Sequence, residues 1–176
     1  MKSRTRARAL ALQVLYEVDI TDHPPAEVYQ LRLEETPLAD DLAEFARQII
    51  FGVLPLNHDI DLLIAKYAPE WPLDQIAAID RNILRIAFWE FAVKRETPVK
   101  VAINEAVELA KLYGSDSASR FINGVLGTLV KHQHEIDQKN ARCLLHPAID
   151  RPLSLHVQVH ITIKSINPVS TWQCNF

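Results

Sequence analysis

The stretch from Val101 to Lys111 most constrains the fold, because it predicts a helix that is apolar around most of its circumference. Asn104, Glu108 and Lys111 stand at positions i, i+4 and i+7, so they form one narrow polar stripe along that helix. A helix of this kind buries most of its surface against neighbouring elements. The stretch therefore predicts a chain that folds around a substantial core.

The composition agrees with a helical domain of moderate size. The chain has 176 residues, of which 48% are hydrophobic, and this length suits one domain with an appendage. Only 4 glycines are present, which argues against a turn-rich β protein. The two cysteines, Cys143 and Cys174, have no CxxC spacing. No run of about 18 apolar residues is found, so we expect no membrane span and a cytoplasmic location.

Seven segments carry apolar residues at three- and four-residue steps, which predicts seven helices. The connections between them are short and contain Pro24, Pro37, Pro55, Pro69 and Pro72. We expect the fifth segment, which is apolar on nearly all sides, at the centre of the molecule. The pattern predicts an all-α fold, a single bundle of about seven helices. The predicted helices cover residues 4–19, 25–34, 38–54, 57–67, 73–94, 98–112 and 117–136.

The last forty residues have a different pattern. From Leu153 to Ile163, apolar and polar residues alternate, which is the period of a half-buried strand. A lone strand has no pairing partner in a helical bundle and is not stable alone. The tail therefore pairs with another chain, forms a marginal hairpin or is loose, and the sequence leaves these three alternatives open.

The helix from Val101 to Lys111, together with the block from Phe121 to Leu126, resembles the signature of the transcription antitermination factor NusB family. The resemblance covers about residues 3–136, which we take as one domain, and leaves residues 137–176 as a C-terminal extension. It implies an all-helical RNA-binding protein without catalytic activity or cofactor. It also implies three partners: boxA-type RNA of ribosomal RNA leaders, the small ribosomal subunit protein NusE, and the RNA polymerase elongation complex.

The basic start of the chain is the first candidate RNA-binding site. Arg4, Arg6 and Arg8 have no acidic residue among them. In a helix, Arg4 and Arg8 lie one above the other, and Arg6 points elsewhere. Closely spaced cations displace the counterions of a nucleic-acid backbone, although a solvated basic terminus is the commoner explanation of such a cluster. The resemblance implies that this start binds boxA RNA.

The fifth predicted helix carries the second candidate. Arg81, Arg85 and Trp89 share one face, at i, i+4 and i+8, and such groups can stack on unpaired bases. Alternatively, Asp80 and Glu90 pair with the two arginines. We expect Trp89 in the core and leave both alternatives open for the arginines. The resemblance implies that Arg81 and Arg85 lie at or near the surface that faces RNA.

Arg120, Phe121 and Asn123 form the third candidate. An exposed aromatic ring beside a cation can stack on a base. Alternatively, Phe121 packs inward with Val125, and Asn123 bonds a neighbouring helix. The resemblance implies that this segment lies at the RNA site. Gly127 stands where the family often has aspartate, and a glycine inside a helix costs about 1 kcal/mol relative to alanine.

Signals of other chemistry are weak. Asn104 and Glu105 are expected to cap or bridge helices inside the bundle, because buried polar groups need partners. The sequence has no G-x-S-x-G, glycine-rich phosphate loop or H-E-x-x-H, so no catalytic residue is predicted. His132 and His134 point apart on a helix, and we expect no metal site.

Two alternative functions remain open at this stage. One is a stand-alone docking module related to the N-terminal domain of ribosomal RNA cytosine-5 methyltransferases. The methyltransferase itself would need a Rossmann-like catalytic domain, for which the tail is too short. The other is a protein-interaction module without RNA binding that uses its tail strand to dimerise. An RNA-binding assay separates this module from an antitermination factor.

Overall fold

A computed structural model describes residues 3–133 and residue 135. The predicted all-α bundle is confirmed, and each of the seven predicted segments contains an α-helix. The predicted strand of the tail and the predicted domain end at residue 136 lie outside the described residues. The helices are α1 (Ser3–Ile20), α2 (Pro25–Glu35), α3 (Asp40–Val53), α4 (Asn57–Tyr67), α5 (Ala78–Phe88), α6 (Val99–Tyr113) and α7 (Ala118–Lys131).

Helix α5 lies at the centre of the bundle, as its sequence predicts. It packs against α1, α3, α4, α6 and α7. Its apolar side chains Ile83, Leu84 and Phe88 are fully buried. The prediction of one continuous helix over 73–94 was wrong, because α5 is preceded by a 3-10 turn at Leu73–Gln75 and followed by a π-helical segment at Trp89–Lys94.

Local backbone geometry explains both interruptions. Pro72 has an extended backbone, and so do Ile76 and Ala77, which separates the 3-10 turn from α5. At the other end, the backbone N–H of Arg95 donates to the carbonyl oxygen of Glu90 at 2.9 Å, five residues earlier. Arg95 has a left-handed backbone with φ of 59°, so the chain turns away there. A π-helical turn carries an extra residue and is often found at specialised positions.

One stretch, Asp40–Tyr67, is long and apolar enough to cross a membrane when only length and composition are considered. In the structure it is two helices, α3 and α4, separated by a 3-10 turn at Leu54–Leu56 that contains Pro55. Its buried apolar side chains face the bundle core, and they are Ala46, Ile49, Ile50, Val53, Ile60 and Ile64. Of the most apolar window of this stretch, 28% is buried inside the bundle.

Trp89 belongs to the core, as expected, and a glycine makes room for it. The indole is 6% exposed and lies directly against Gly52 of α3. A Cβ atom on Gly52 would overlap the indole ring. Helix α3 therefore approaches the π-helical segment closely because residue 52 has no side chain.

We predict that Gly52→Ala lowers the free energy of unfolding by about 1–3 kcal/mol, because the added methyl group overpacks the contact with Trp89. Gly124→Ala is the matched control, since Gly124 also lies inside a helix but a Cβ there would meet nothing within 4 Å. That substitution should stabilise the protein by up to about 1 kcal/mol. Urea unfolding followed by circular dichroism measures the change in the free energy of unfolding for both variants. Changes of the same sign would contradict the described contact between Gly52 and Trp89.

Candidate nucleic-acid interface

The start of α1 presents two arginines to solvent. Arg4 and Arg6 are exposed, and the Arg4 guanidinium lies 5.2 Å from the centre of the Phe45 ring. The Arg8 guanidinium lies over the same ring, also at 5.2 Å, so Arg4 and Arg8 share a face as predicted. Arg6 points elsewhere, as predicted, toward the carbonyl oxygen of Pro37. The exposed pair can contact a phosphate backbone without rearrangement.

Arg8 is buried in an ion network. Its Nε and Nη2 atoms donate to the two carboxylate oxygens of Glu90, each at 2.8 Å. Its Nη1 atom donates to Glu105 at 3.0 Å. Two hydroxyl groups complete the network, because Thr5 donates to Glu105 at 2.7 Å and Thr97 donates to Glu90 at 3.0 Å. The expectation that Glu105 bridges helices is confirmed, whereas Asn104 is exposed.

The placement of Arg8 corrects part of the expectation for the basic start. Its side chain is 3% exposed, and Glu90 and Glu105 use its donors. A guanidinium in this position holds the fold together and does not offer its charge to a ligand. The RNA-binding prediction for the basic start therefore rests on Arg4 and Arg6.

Arg85 is likewise held inside the protein. Its guanidinium makes a bidentate pair with Asp61, at 2.8 and 2.6 Å, and also donates to Asp19 at 3.0 Å. Burial alone would lower the pKa of Arg85, but the hydrogen bonds that it donates to Asp61 and Asp19 outweigh burial and raise that pKa. The expected ion pairing is present, although the partners are Asp19 and Asp61 rather than Asp80 and Glu90. The expectation that Arg85 faces RNA is therefore corrected, because Arg85 forms an internal ion pair.

Arg81 is in an intermediate position. Its Nη2 atom donates to Asp19 at 2.8 Å, and 23% of its side chain is exposed. Asp19 thus binds both Arg81 and Arg85. Burial alone would raise the pKa of Asp19, but these two arginines lower it. A contact between Arg81 and RNA stays a prediction, and its present role is to join α1 to α5.

The third candidate group lies at the start of α7. Arg120 and Asn123 are exposed, and Phe121 is half-buried. The Phe121 ring meets the Trp71 indole edge to face, with ring centres 4.9 Å apart and planes at 64°. Val125 is buried, so Phe121 follows the inward-packing alternative only in part. The two rings together form an aromatic surface beside the exposed Arg120 side chain.

This aromatic surface is one wall of a cleft with a volume of about 730 Å³. We call it the Asp80 cleft. It lies between the start of α5, the start of α7 and the loop that carries Trp71. The cleft is lined by, among others, Trp71, Asp80, Ser115, Ser117, Arg120 and Phe121.

Asp80 lies in this cleft in an unusual state for a carboxylate. It is 8% exposed, and its Oδ1 atom is buried without a hydrogen-bond partner. Burial raises the pKa of Asp80 above its ordinary value. A Cβ on Gly114 would lie 3.0 Å from that oxygen, so the glycine lets the turn before α7 approach the carboxylate closely.

Two helix N-termini open into the cleft, and no side chain caps either of them. Ser117 occupies the N-cap position of α7, but its hydroxyl bonds the Ser115 hydroxyl at 3.2 Å rather than a backbone N–H. Free backbone N–H groups at a helix start attract anions such as phosphate. The cleft thus combines anion-attracting backbone, an aromatic wall and the Arg120 cation.

Sequence reasoning missed two members of this cleft. Trp71 was not among the predicted site residues, and Asp80 was considered only as a partner of the two arginines Arg81 and Arg85. A tryptophan inside a proline-flanked polar linker was the available signal, since such a ring rarely lies exposed without a role. For Asp80 no local signal exists, because its isolation depends on the distant turn at Gly114.

The described residues thus form an all-helical bundle with exposed arginines and an aromatic cleft at two helix starts. The model of the NusB family matches residues 5–131. The transcription antitermination protein NusB of Roseiflexus castenholzii is 50% identical over 134 residues, which are 75% of this chain and 94% of that protein. This chain therefore belongs to the NusB family.

Two solved structures agree with the family assignment. NusB of T. maritima superposes with a TM-score of 0.67 at 31% identity, covering 76% of this chain and 98% of that chain. The structure of antitermination factors NusB and NusE in complex with dsRNA superposes with a TM-score of 0.68 at 28% identity. It covers 74% of this chain and 98% of the matched chain.

We predict that Arg8→Ala lowers the free energy of unfolding by about 3–5 kcal/mol, because it leaves the buried Glu90 carboxylate without its partner. Arg4→Ala is the matched control on the same face, and its exposed side chain should change stability by less than about 0.5 kcal/mol. Thermal or urea unfolding of the two variants measures the difference. Similar stability of both variants would show that Arg8 is not held as described.

Proposed function

We propose that this protein is an RNA-binding transcription antitermination factor that acts in ribosomal RNA synthesis. It binds boxA-type RNA together with NusE and brings both to the RNA polymerase elongation complex in the cytoplasm. It acts by assembly, without a catalytic group or cofactor. The observation that carries this proposal is the Asp80 cleft, where Arg120 and the Phe121–Trp71 pair stand beside two uncapped helix starts.

The cleft has the properties that unpaired RNA requires. Aromatic rings offer surfaces on which bases stack, and a neighbouring cation attracts the phosphate backbone. Arg120 and Asn123 are exposed and free to meet such a strand. The solved relative that contains NusB, NusE and dsRNA supports the assignment of RNA and NusE as partners.

The exposed arginines at the start of α1 supply a second contact. Asp19, which binds Arg81 next to the cleft, lies fifteen residues after Arg4 on the same helix. At the rise of an α-helix this separates Arg4 from Asp19 by roughly 20 Å along the helix axis. An RNA segment of several nucleotides therefore reaches from the cleft to Arg4 and Arg6.

We predict that the double substitution Arg4→Ala and Arg6→Ala weakens binding of boxA-type RNA and flattens the plot of log K against log salt by about 1.4 units. The reason is that each phosphate contact on a single strand releases about 0.7 counterion. Titrations at several salt concentrations, with and without purified NusE, measure the slope. Arg47→Ala is the control, because the Nε and Nη2 atoms of that exposed arginine already donate to the Glu44 carboxylate. If the double variant has the same salt slope as the parent, Arg4 and Arg6 do not contact RNA phosphates, and the basic start is only a solvated terminus.

Phe121→Ala should behave differently from the arginine variants. It removes a stacking surface worth about 1–3 kcal/mol of binding but no charge, so affinity falls while the salt slope stays the same. Phe121→Leu keeps the apolar packing against the bundle and serves as the control for folding. If neither variant alters affinity while the parent binds RNA, the aromatic wall takes no part in binding. If the parent binds no boxA-type RNA with NusE present, the interaction module without RNA binding is favoured.

A further inference from the structure

Between Arg6 and Tyr16, helix α1 exposes almost no surface to a ligand. Every residue from Ala7 to Leu15 is buried except Gln13, which is half-buried. An RNA strand that contacts both the exposed arginines and the Asp80 cleft therefore cannot follow α1 itself. It has to cross a helix that packs beside α1 and reaches the surface, which is either α6 or the pair α2 and α3.

Helix α6 runs beside α1 in the same direction, from the basic start to the cleft. Thr5 donates to Glu105 near the start of both helices. Eight residues further along each helix, Gln13 donates to the Tyr113 hydroxyl at 3.4 Å. Tyr113 is the last residue of α6, and Ser115 in the turn that follows already lines the Asp80 cleft. The length of α6 therefore connects the two surfaces that the proposed function assigns to RNA.

A surface groove follows this course. One part, with a volume of about 320 Å³, lies between the starts of α1 and α6 and is lined by Arg4. A second part, of about 670 Å³, continues along α6 to Leu112, and the two parts share Thr5 and Glu105 in their walls. Arg8 and Thr5 donate to the Glu105 carboxylate, so its charge is compensated. The groove thus leads from Arg4 to the end of α6.

The polar residues on the outer face of α6, Lys100, Asn104, Glu108 and Lys111, are called the α6 stripe below. All four are exposed, and the last three line the groove. Glu108 pairs with Lys111 at 2.7 Å, and both side chains are more than half exposed. An ion pair between two exposed side chains is weak, so an RNA phosphate can replace the carboxylate at Lys111. The stripe therefore offers two cations and one amide to a strand.

The alternative route over α2 and α3 is acidic. Arg6 donates to the carbonyl oxygen of Pro37, so the turn between these two helices lies beside the basic start. The residues around this turn expose Glu34, Glu35, Asp40 and Asp41. Arg32 pairs with Glu35, but the surface keeps a net negative charge, which repels phosphate. Charge therefore favours the route over α6.

We propose that the RNA strand runs along the α6 stripe between the basic start and the Asp80 cleft, with Lys100 and Lys111 binding its phosphates. The inference rests on the proposed function and deepens it, because it adds a third contact surface and fixes the course of the strand over the bundle. It also gives a role to the polar stripe of a helix that is otherwise largely apolar.

The double substitution Lys100→Ala and Lys111→Ala should weaken binding of boxA-type RNA and flatten the plot of log K against log salt by about 1.4 units, at about 0.7 counterion for each phosphate contact. Titrations use the full chain with NusE present. Lys131→Ala is the matched control for Lys111→Ala, because both lysines are exposed in the last turn of their helices. It should leave the slope unchanged. The melting temperatures should stay near that of the parent, since all three side chains are exposed.

Glu108→Gln tests the α6 stripe with the opposite sign. It removes a charge that repels phosphate and releases Lys111, so RNA should bind about twofold to fivefold more tightly at low salt. Glu35→Gln is the matched control, because Glu35 is also exposed and also pairs with a cation three residues away, Arg32. It lies on the route over α2, so its loss should change affinity much less than the loss of Glu108.

A boxA-type RNA whose central linkages are uncharged methylphosphonates separates the α6 stripe from the two end surfaces. It keeps the phosphates that meet the basic start and the cleft but lacks those that lie over α6. The parent should bind this RNA more weakly than the unmodified strand. The Lys100→Ala and Lys111→Ala variant should bind it as tightly as the parent does, because the phosphates that the two lysines contact are already neutral.

Three results would overturn the inference while leaving RNA binding in place. They are an unchanged salt slope in the lysine double variant, an equal loss of affinity by that variant on the modified and unmodified RNAs, and tighter binding by Glu35→Gln but not by Glu108→Gln. Loss of NusE binding alone in the lysine double variant would assign the α6 stripe to a protein partner and also overturn it. A parent that binds no boxA-type RNA with NusE present would reject the proposed function as well.

Discussion

The buried contact of Arg8 with Glu90 and Glu105 determines how the first helix is seated. It joins α1 to the π-helical segment and to α6, which are 82 and 97 residues away along the chain. A buried ion pair stabilises little compared with an apolar replacement, but breaking one leaves an unpaired charge in the interior. The seating it enforces decides which arginines of the basic start face solvent, namely Arg4 and Arg6.

The other end of α1 is fixed in the same way, by Asp19 with Arg81 and Arg85. With both ends held, the exposed arginines and the Asp80 cleft keep a set separation, and the ligand surfaces exist before any ligand arrives. Surfaces that are formed in advance avoid part of the entropy lost on binding. The bundle therefore acts as a rigid support, and its two surfaces differ in chemistry, one cationic and one aromatic.

The helices could be predicted because apolar periodicity alone determines which segments bury a face, and α1 and α4 agree with their predicted spans within about a residue. The interruption of the fifth segment could not be predicted, because it depends on the backbone conformations near Pro72 and at Arg95. Helical spacing correctly placed Arg4 and Arg8 over one face, the Phe45 ring. It could not tell which of them is buried, because the deciding carboxylates are far away in sequence. The same applies to Asp80, whose isolation depends on Gly114.

The burial of Arg8 in its ion network also determines how a substitution at this position would lose function in the cell. Under the proposed function, a screen for lost antitermination would recover substitutions at both Arg8 and Arg4, for unrelated reasons. A protein weakened at Arg8 populates unfolded molecules that cellular proteases remove, so its abundance falls. Raised expression or a protease-deficient host would rescue that variant. A variant at Arg4 would accumulate to normal levels and remain defective, so immunoblotting would separate the two classes of allele without any binding measurement.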